Sequence, residues 1–258
     1  MDLPLWSYGV AVVGGGLIGL LLAVFGGGGS VLATPLLVYL VGVRDPHIAI
    51  GTAAAAVAVN ALLGLAGQAR AGAVKWPCAV VFGGAGLAGS MIGAQLAKQM
   101  DGQVLLTWFG VAMAAVALSM LIPQKGLGDP SVRLTRALTL KLAPVGLVVG
   151  LAAGFFGIGG GFLIVPGLMA ATGMTLAHAA ASSLVSVALF GAATSTSYAA
   201  SGLIDWRVFS ALVAGGALGA MAAPPVVRVL SDKAVLGRRL FAVMVLATAA
   251  YVIWRSVS

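Results

Sequence analysis

Two glycine-rich breaks, each followed by a proline, interrupt an otherwise apolar chain in register with one another. Phe25-Gly-Gly-Gly-Gly-Ser-Val-Leu-Ala-Thr-Pro35 reappears 131 residues later as Phe156-Gly-Ile-Gly-Gly-Gly-Phe-Leu-Ile-Val-Pro166. At that offset Gly42 meets Gly173, His47 meets His178, Ala49 meets Ala180 and Thr52 meets Ser183. One deletion later Gly72 meets Gly202, Gly86 meets Gly216 and Gly89 meets Gly219. Matches of Ala, Gly and Val come easily at this composition, but the chain has only 2 histidines and both fall in register. A chain duplicated in this way folds as two related units.

The breaks lie in membrane-type sequence. Charged residues make up 8% of the chain and hydrophobic ones 61%, where a soluble domain carries about a quarter charged residues. Tyr8–Phe25 contains no charge and reaches about 27 Å as a helix, close to the hydrocarbon thickness of a bilayer. Met1-Asp-Leu-Pro lacks a basic leader, so Tyr8–Phe25 reads as a retained span. The net charge of +8 does not point to nucleic acid, because the basic residues sit in short connections between apolar runs. The single cysteine, Cys78, excludes an intrachain disulfide and reads as a small buried hydrophobe.

Each half divides into five segments. The first has A (Tyr8–Phe25), B (Ser30–Val43), C (His47–Gln68), D (Trp76–Ala97) and E (Val104–Ile122). The second has A′ (Leu142–Phe156), B′ (Phe162–Gly173), C′ (His178–Ala200), D′ (Trp206–Val229) and E′ (Val235–Trp254). B and B′ are too short to span and follow the breaks directly, so they read as half-helices that turn back within the membrane. The expected fold is an all-α polytopic membrane protein. It has a first repeat over 1–122, a polar linker over 123–141 and a second repeat over 142–258. Each repeat holds a Gly-broken re-entrant pair and three spanning helices.

Lysine and arginine orient this arrangement. If each A–B pair ends on the side where it began, the three further crossings invert the second repeat. Ten basic residues then share one side (Arg70, Lys75, Lys125, Arg133, Arg136, Lys141, Arg228, Lys233, Arg238 and Arg239). Four remain on the other: Arg44, Lys98, Arg207 and Arg255. A single crossing per A–B unit would split them eight to six. The positive-inside rule favours the first arrangement, with the linker cytoplasmic and both termini periplasmic.

The breaks also carry the chemistry. Four successive glycines make a poor helix, and irregular backbone at membrane depth is tolerated where it lines a cavity or is buried in protein. A helix that starts just after such a break presents unpaired N–H groups and about half a positive charge. Together these bind an anion without a charged side chain, and two inverted repeats would bring two such ends to one midplane site. The candidate binding residues are Gly27, Gly28, Gly29 and Ser30 in one break and Gly159, Gly160 and Gly161 in the other. Thr52, Asn60, Ser182 and Ser183 on C and C′ join them. For the hydroxyls, bonding to their own helix backbone is an equally simple reading. Asn60 stands out because an amide in lipid is costly without a partner. Gly89–Gly93 and Gly215–Gly219 have the spacing of close helix packing instead. His47 and His178 open C and C′; bonding loop backbone is their simpler role, and gating or proton coupling the functional alternative. The chain has no Glu, and its Asp residues lie in loops or at segment ends, so no intramembrane carboxylate relay is expected.

The breaks, the prolines that follow, and the Gly51-Thr52 and Ser182-Ser183 pairs opening C and C′ resemble the TauE/SafE family of sulfite exporters. The resemblance covers nearly the whole chain. Gly26-Gly-Gly-Gly-Ser30 stands where that family more often has Gly-x-Gly-Gly-Gly, Ala53 follows Thr52 in place of a Ser, and Ser182 lacks the preceding Gly. The resemblance implies a secondary transporter of small sulfur-containing anions such as sulfite, thiosulfate or sulfoacetate in a bacterial inner membrane. It implies no cofactor, no metal and no catalytic residue. Its expected partners are the anion and the bilayer, with a homodimer as a candidate assembly. An intramembrane enzyme would need a base or carboxylate cluster at depth. A non-transporting scaffold would not need two matched breaks. No Walker A motif is present to couple ATP.

Single cysteines replacing Ser131 and Ser258 test the orientation with an impermeant thiol reagent in intact cells. The residue-258 cysteine should label and the residue-131 cysteine should not; the reverse result overturns the assignment.

Overall fold

The computed structural model describes residues 4–121, 128–129, 132, 134–157, 161–231 and 234–257. Gly159 and Gly160 lie outside these, as do Ile122 and part of the linker. Apart from an isolated bridge between Asp129 and Met174, regular structure among the described residues is helical. Seven stretches are long and apolar enough to cross a membrane, so the protein is an all-α polytopic membrane protein.

In the first half α1 (Leu5–Phe25) ends at Gly26, whose φ of 63° and ψ of −142° suit glycine alone. The chain then coils into a 3₁₀ segment (Gly26–Leu32), one turn of α2 (Ala33–Pro35) and a π segment (Leu36–Val41). Pro35 brings no N–H to this run, and the hydrogen-bond register changes on both sides of it. The path doubles back. A Cβ on Gly14 would strike the Leu36 side chain, and one on Gly29 would strike the backbone of Leu21 and Leu22. Residue 36 therefore lies beside residue 14, antiparallel to α1. The expected short returning segment is present, but the glycines themselves coil instead of forming an extended break before a regular helix.

The rest of this half is α3 (Pro46–Arg70), α4 (Trp76–Ala97) and α5 (Gly102–Leu121). Pro46 at the first helical position and an Asp45 carboxylate accepting the His47 N–H at 2.8 Å set the start of α3. The second half follows as α6 (Arg136–Phe156), α7 (Gly161–Thr172), α8 (Leu176–Ala199), α9 (Trp206–Ser231) and α10 (Ala234–Val257). Here α6 ends at Gly157 in the left-handed conformation, its N–H donating to the Ala153 and Gly154 carbonyls at 3.0 and 3.2 Å. A Cβ on Gly167 would lie 3.2 Å from Val149, so α7 folds back along α6. Positive φ follows the sequence register: φ is 63° and 65° at Gly26 and Gly157, 87° and 71° at Gly42 and Gly173, and 68° and 70° at Gly72 and Gly202.

The two halves interlock. The principal helix pairs are α1 with α9, α4 with α6, α3 with α8 and α5 with α10, each joining one half to the other. Two pairs are glycine seams. A Cβ on Gly146, Gly150 or Gly154 would collide with the backbone of Phe82, Gly86 or Ser90. A Cβ on Gly15, Gly19, Gly215 or Gly219 would collide with backbone across the α1–α9 seam. Residue numbers rise together along both seams, so these pairs are parallel. α3 and α8 run antiparallel: Gly51 packs on Tyr198, Gly191 on Ala58 and Gly64 on Leu184. Without a hydrophobic drive between helices in lipid, such backbone proximity supplies the association energy. The Gly89–Gly93 and Gly215–Gly219 spacings thus serve packing.

The seam makes a paired prediction. Gly150→Ala should destabilise the purified protein by about 1–3 kcal/mol, because the Gly86 backbone facing it cannot yield. Gly84→Ala has open space around it and should be neutral or stabilise by about 0.5–1 kcal/mol. Thermal unfolding in detergent reads both; equal behaviour of the two variants would remove the seam's role.

Candidate functional site

The two breaks meet in the interior. Gly26 to Leu32 are all buried. A Cβ on Gly27 would enter the space of Gly161 Cα, and a Cβ on Gly161 would strike the Gly27 carbonyl. Only glycine at both positions allows this crossing. Around it the Gly27 amide is held from two sides. Its N–H donates to Ser183 Oγ at 2.9 Å, and its carbonyl accepts from Ser30 Oγ at 2.8 Å. Ser183 Oγ in turn donates to the Ala180 carbonyl at 2.7 Å. Ser30 and Ser183 are both fully buried. Four expected site residues, Gly27, Ser30, Gly161 and Ser183, thus come together from three elements. Gly28 and Gly29 continue the same 3₁₀ turn, Gly29 against Leu21 and Leu22.

Other expected residues do different local work. Thr52 Oγ1 accepts from the Asp205 N–H and Ser182 Oγ from the Lys75 N–H, each at 2.9 Å. Each hydroxyl holds the chain just before α9 or α4, so each half's long buried helix pins a loop of the other half. The imidazole of His178 bonds the Ala73 carbonyl through Nδ1 at 2.8 Å, and that of His47 bonds the Met100 carbonyl through Nε2 at 3.2 Å. In both, the contacting nitrogen must carry the proton. These are loop-backbone contacts, away from the crossing.

Asn60 is 1% exposed, and its Nδ2 donates weakly to the Leu212 carbonyl at 3.4 Å. Its Oδ1 has no partner among the described residues, nor do the buried hydroxyls of Thr34 and Ser186. Thr34, in the turn that leaves the first break, was not among the expected residues; its place beside Pro35 was the available signal. Gln68 also contributes: its Nε2 donates at 3.1 Å to the Ala23 carbonyl, one of the orphan acceptors at the end of α1. No group of three or more His, Cys, Asp or Glu able to hold a metal occurs among the described residues. The assembly offers backbone amides, hydroxyls and the carboxamides of Asn60 and Gln68 in apolar surroundings. That chemistry suits binding and release of a polar solute.

Comparison with known proteins agrees with a carrier. Residues 11–252 match the family described as Sulfite exporter TauE/SafE. A probable membrane transporter protein of Xylella fastidiosa (strain Temecula1) is 44% identical over 252 residues, covering 96% of this chain and 95% of that protein. The probable membrane transporter protein YunE of Bacillus subtilis is 27% identical over 253 residues, with 89% and 92% covered. A probable membrane transporter protein of Haemophilus influenzae is 25% identical over 199 residues, with 73% and 72% covered. No solved structure matches. With a match that spans nearly its whole length, the chain belongs to the TauE/SafE sulfite exporter family, a family of membrane transporters.

Proposed function

We propose that the protein is a secondary transporter that exports small sulfur-containing anions, such as sulfite, thiosulfate or an organosulfonate like sulfoacetate, and binds them where the two breaks cross. The observation that carries this reading is the buried contact of Gly27 with Gly161, with Ser183 on the Gly27 N–H. An arriving anion competes with Ser183 Oγ for that N–H. The displaced hydroxyl turns and donates to the anion in its place. Further donors would come from backbone amides of the breaks, for which Gly28, Gly29, Gly159 and Gly160 are the candidates read from the sequence. Small-residue packing lets a tetrahedral or pyramidal oxyanion approach the backbone closely.

In this reading the halves are inverted repeats in a bacterial inner membrane, with both termini periplasmic. The antiparallel run of α3 against α8 supports it, since equivalent helices run antiparallel only about an axis that crosses them. With the cytoplasm negative, the membrane potential contributes about 2.3 kcal/mol per charge per 100 mV toward anion export. Thr52–Asp205 and Ser182–Lys75 would then hold loops near opposite ends of the bundle.

Purified protein should be stabilised in thermal unfolding by at least one of sulfite, thiosulfate, sulfoacetate, taurine and sulfate. At a ligand concentration a hundred times Kd the gain is about 2.7 kcal/mol. Silence toward all five would sink the reading. Ser183→Ala should weaken binding of the responding anion about five- to tenfold while leaving a monodisperse folded protein; unchanged affinity would move the anion away from the crossing.

A further inference from the structure

The two halves differ at one buried position where their packing is otherwise matched. Gly86 of α4 and Gly216 of α9 are repeat equivalents. A Cβ on Gly86 would run into the ring of Phe190, and a Cβ on Gly216 would run into the carboxamide of Asn60. Phe190 lies 130 residues after Asn60, the same interval that separates the two glycines. One notch therefore holds a fully buried aromatic ring and the other an amide that is 1% exposed. Packing alone is met by the ring, so it gives no reason for the amide. The amide is also incompletely used. Leu212 O can only accept, which assigns Nδ2 to it and leaves Oδ1 without a partner among the described residues.

Asn60 lies at the depth of the crossing. On α8, Leu184 packs on Gly64 and Gly191 on Ala58, while Gly27 packs on Val187 and bonds Ser183. Interpolating between these contacts places Asn60 within about one helical turn, roughly 5.4 Å, of the depth of Gly27. The 3₁₀ turn and α2 both pack against α3. A species held at the crossing thus has a buried acceptor at about its own depth, on the helix beside it, in the first half only.

We propose that Asn60 is a specificity-determining residue whose Oδ1 accepts a hydrogen bond from the transported anion, so that the carrier selects anions bearing an O–H or N–H donor. This rests on the anion site proposed above. The backbone amides and hydroxyls at the crossing take the oxyanion head, which offers only acceptors. Oδ1 takes the donor, and a fully deprotonated oxyanion with no other group leaves it unpaired. The duplication by itself yields a site with matched ends; replacing a ring by an amide at one notch gives it a direction for the ligand.

Two probes share a sulfonate head and differ in a terminal hydroxyl: 2-hydroxyethanesulfonate and ethanesulfonate. Titration calorimetry on the full-length protein in nanodiscs should find the hydroxyl compound bound about five- to tenfold more tightly. Asn60→Leu should bring that ratio close to one. The wild-type ratio decides the matter even if the variant does not fold. A ratio near one in the wild type, or a preference that survives Asn60→Leu, overturns the role of Asn60 and leaves the anion site standing. Failure of both probes to bind the wild type overturns this proposal together with the anion site.

Discussion

Everything in this fold accommodates one contact, the passage of the Gly27 backbone against the Gly161 backbone. A single methyl group on either residue would occupy space already taken by the other. For the contact to exist, both chains must turn back in the interior and both turns must reach the same point. The turns need Gly26 and Gly157 in positive-φ conformations, where other residues pay a steric penalty. The shared point needs the halves to interlock closely, which the two glycine seams allow. Nearly every cluster of glycine in the chain serves the turn, the crossing or a seam.

The interlock also explains why α3 and α8 are the most polar buried helices. They flank the crossing, and their buried groups include Thr52, Asn60, Ser182, Ser183, Ser186 and Thr194. Four of these make a hydrogen bond to the other half: Thr52 with Asp205, Asn60 with Leu212, Ser182 with Lys75 and Ser183 with Gly27. A polar group buried in lipid surroundings without a partner is costly. Each such bond therefore penalises separation of the halves more than an apolar contact would.

Much of this is readable from residues alone, because membrane burial leaves few solutions for a glycine run. The duplication, the short returning segments and the packing role of the Gly89–Gly93 and Gly215–Gly219 spacings follow from composition and register. The coiling of Gly26–Leu32 into a 3₁₀ turn does not follow. Propensity says only that glycine is a poor α-former, and Pro35 together with packing against α1 selects the tighter coil. Partners far apart in sequence are also hidden. Thr52 and Ser183 are equivalent by register, yet Thr52 holds a loop of the second half and Ser183 the crossing, while the matching loop of the first half goes to the neighbouring Ser182. That one-residue exchange between Ser182 and Ser183 depends on where the other half sits. The burial of Thr34 is hidden for the same reason: its place beside Pro35 hints at a role, but burial is set by contacts with distant segments.

The neutrality of the site bears on how a carrier can work. A buried Lys or Arg would attract an anion strongly, but a lone charge in a low-dielectric interior costs several kcal/mol when its partner leaves. A carrier must also return empty. At the crossing the donors already satisfy one another: the Gly27 N–H gives to Ser183 Oγ, which gives to the Ala180 carbonyl. In the proposed mechanism an anion enters by exchanging these bonds, and on its departure they close again. The empty state then carries no orphaned charge, only a closed hydrogen-bond chain. Glycine amides and serine hydroxyls therefore suit a cycle in which the loaded and unloaded states must have similar free energies, and a chain without a charged residue in the middle of α3 or α8 is the composition such a cycle requires.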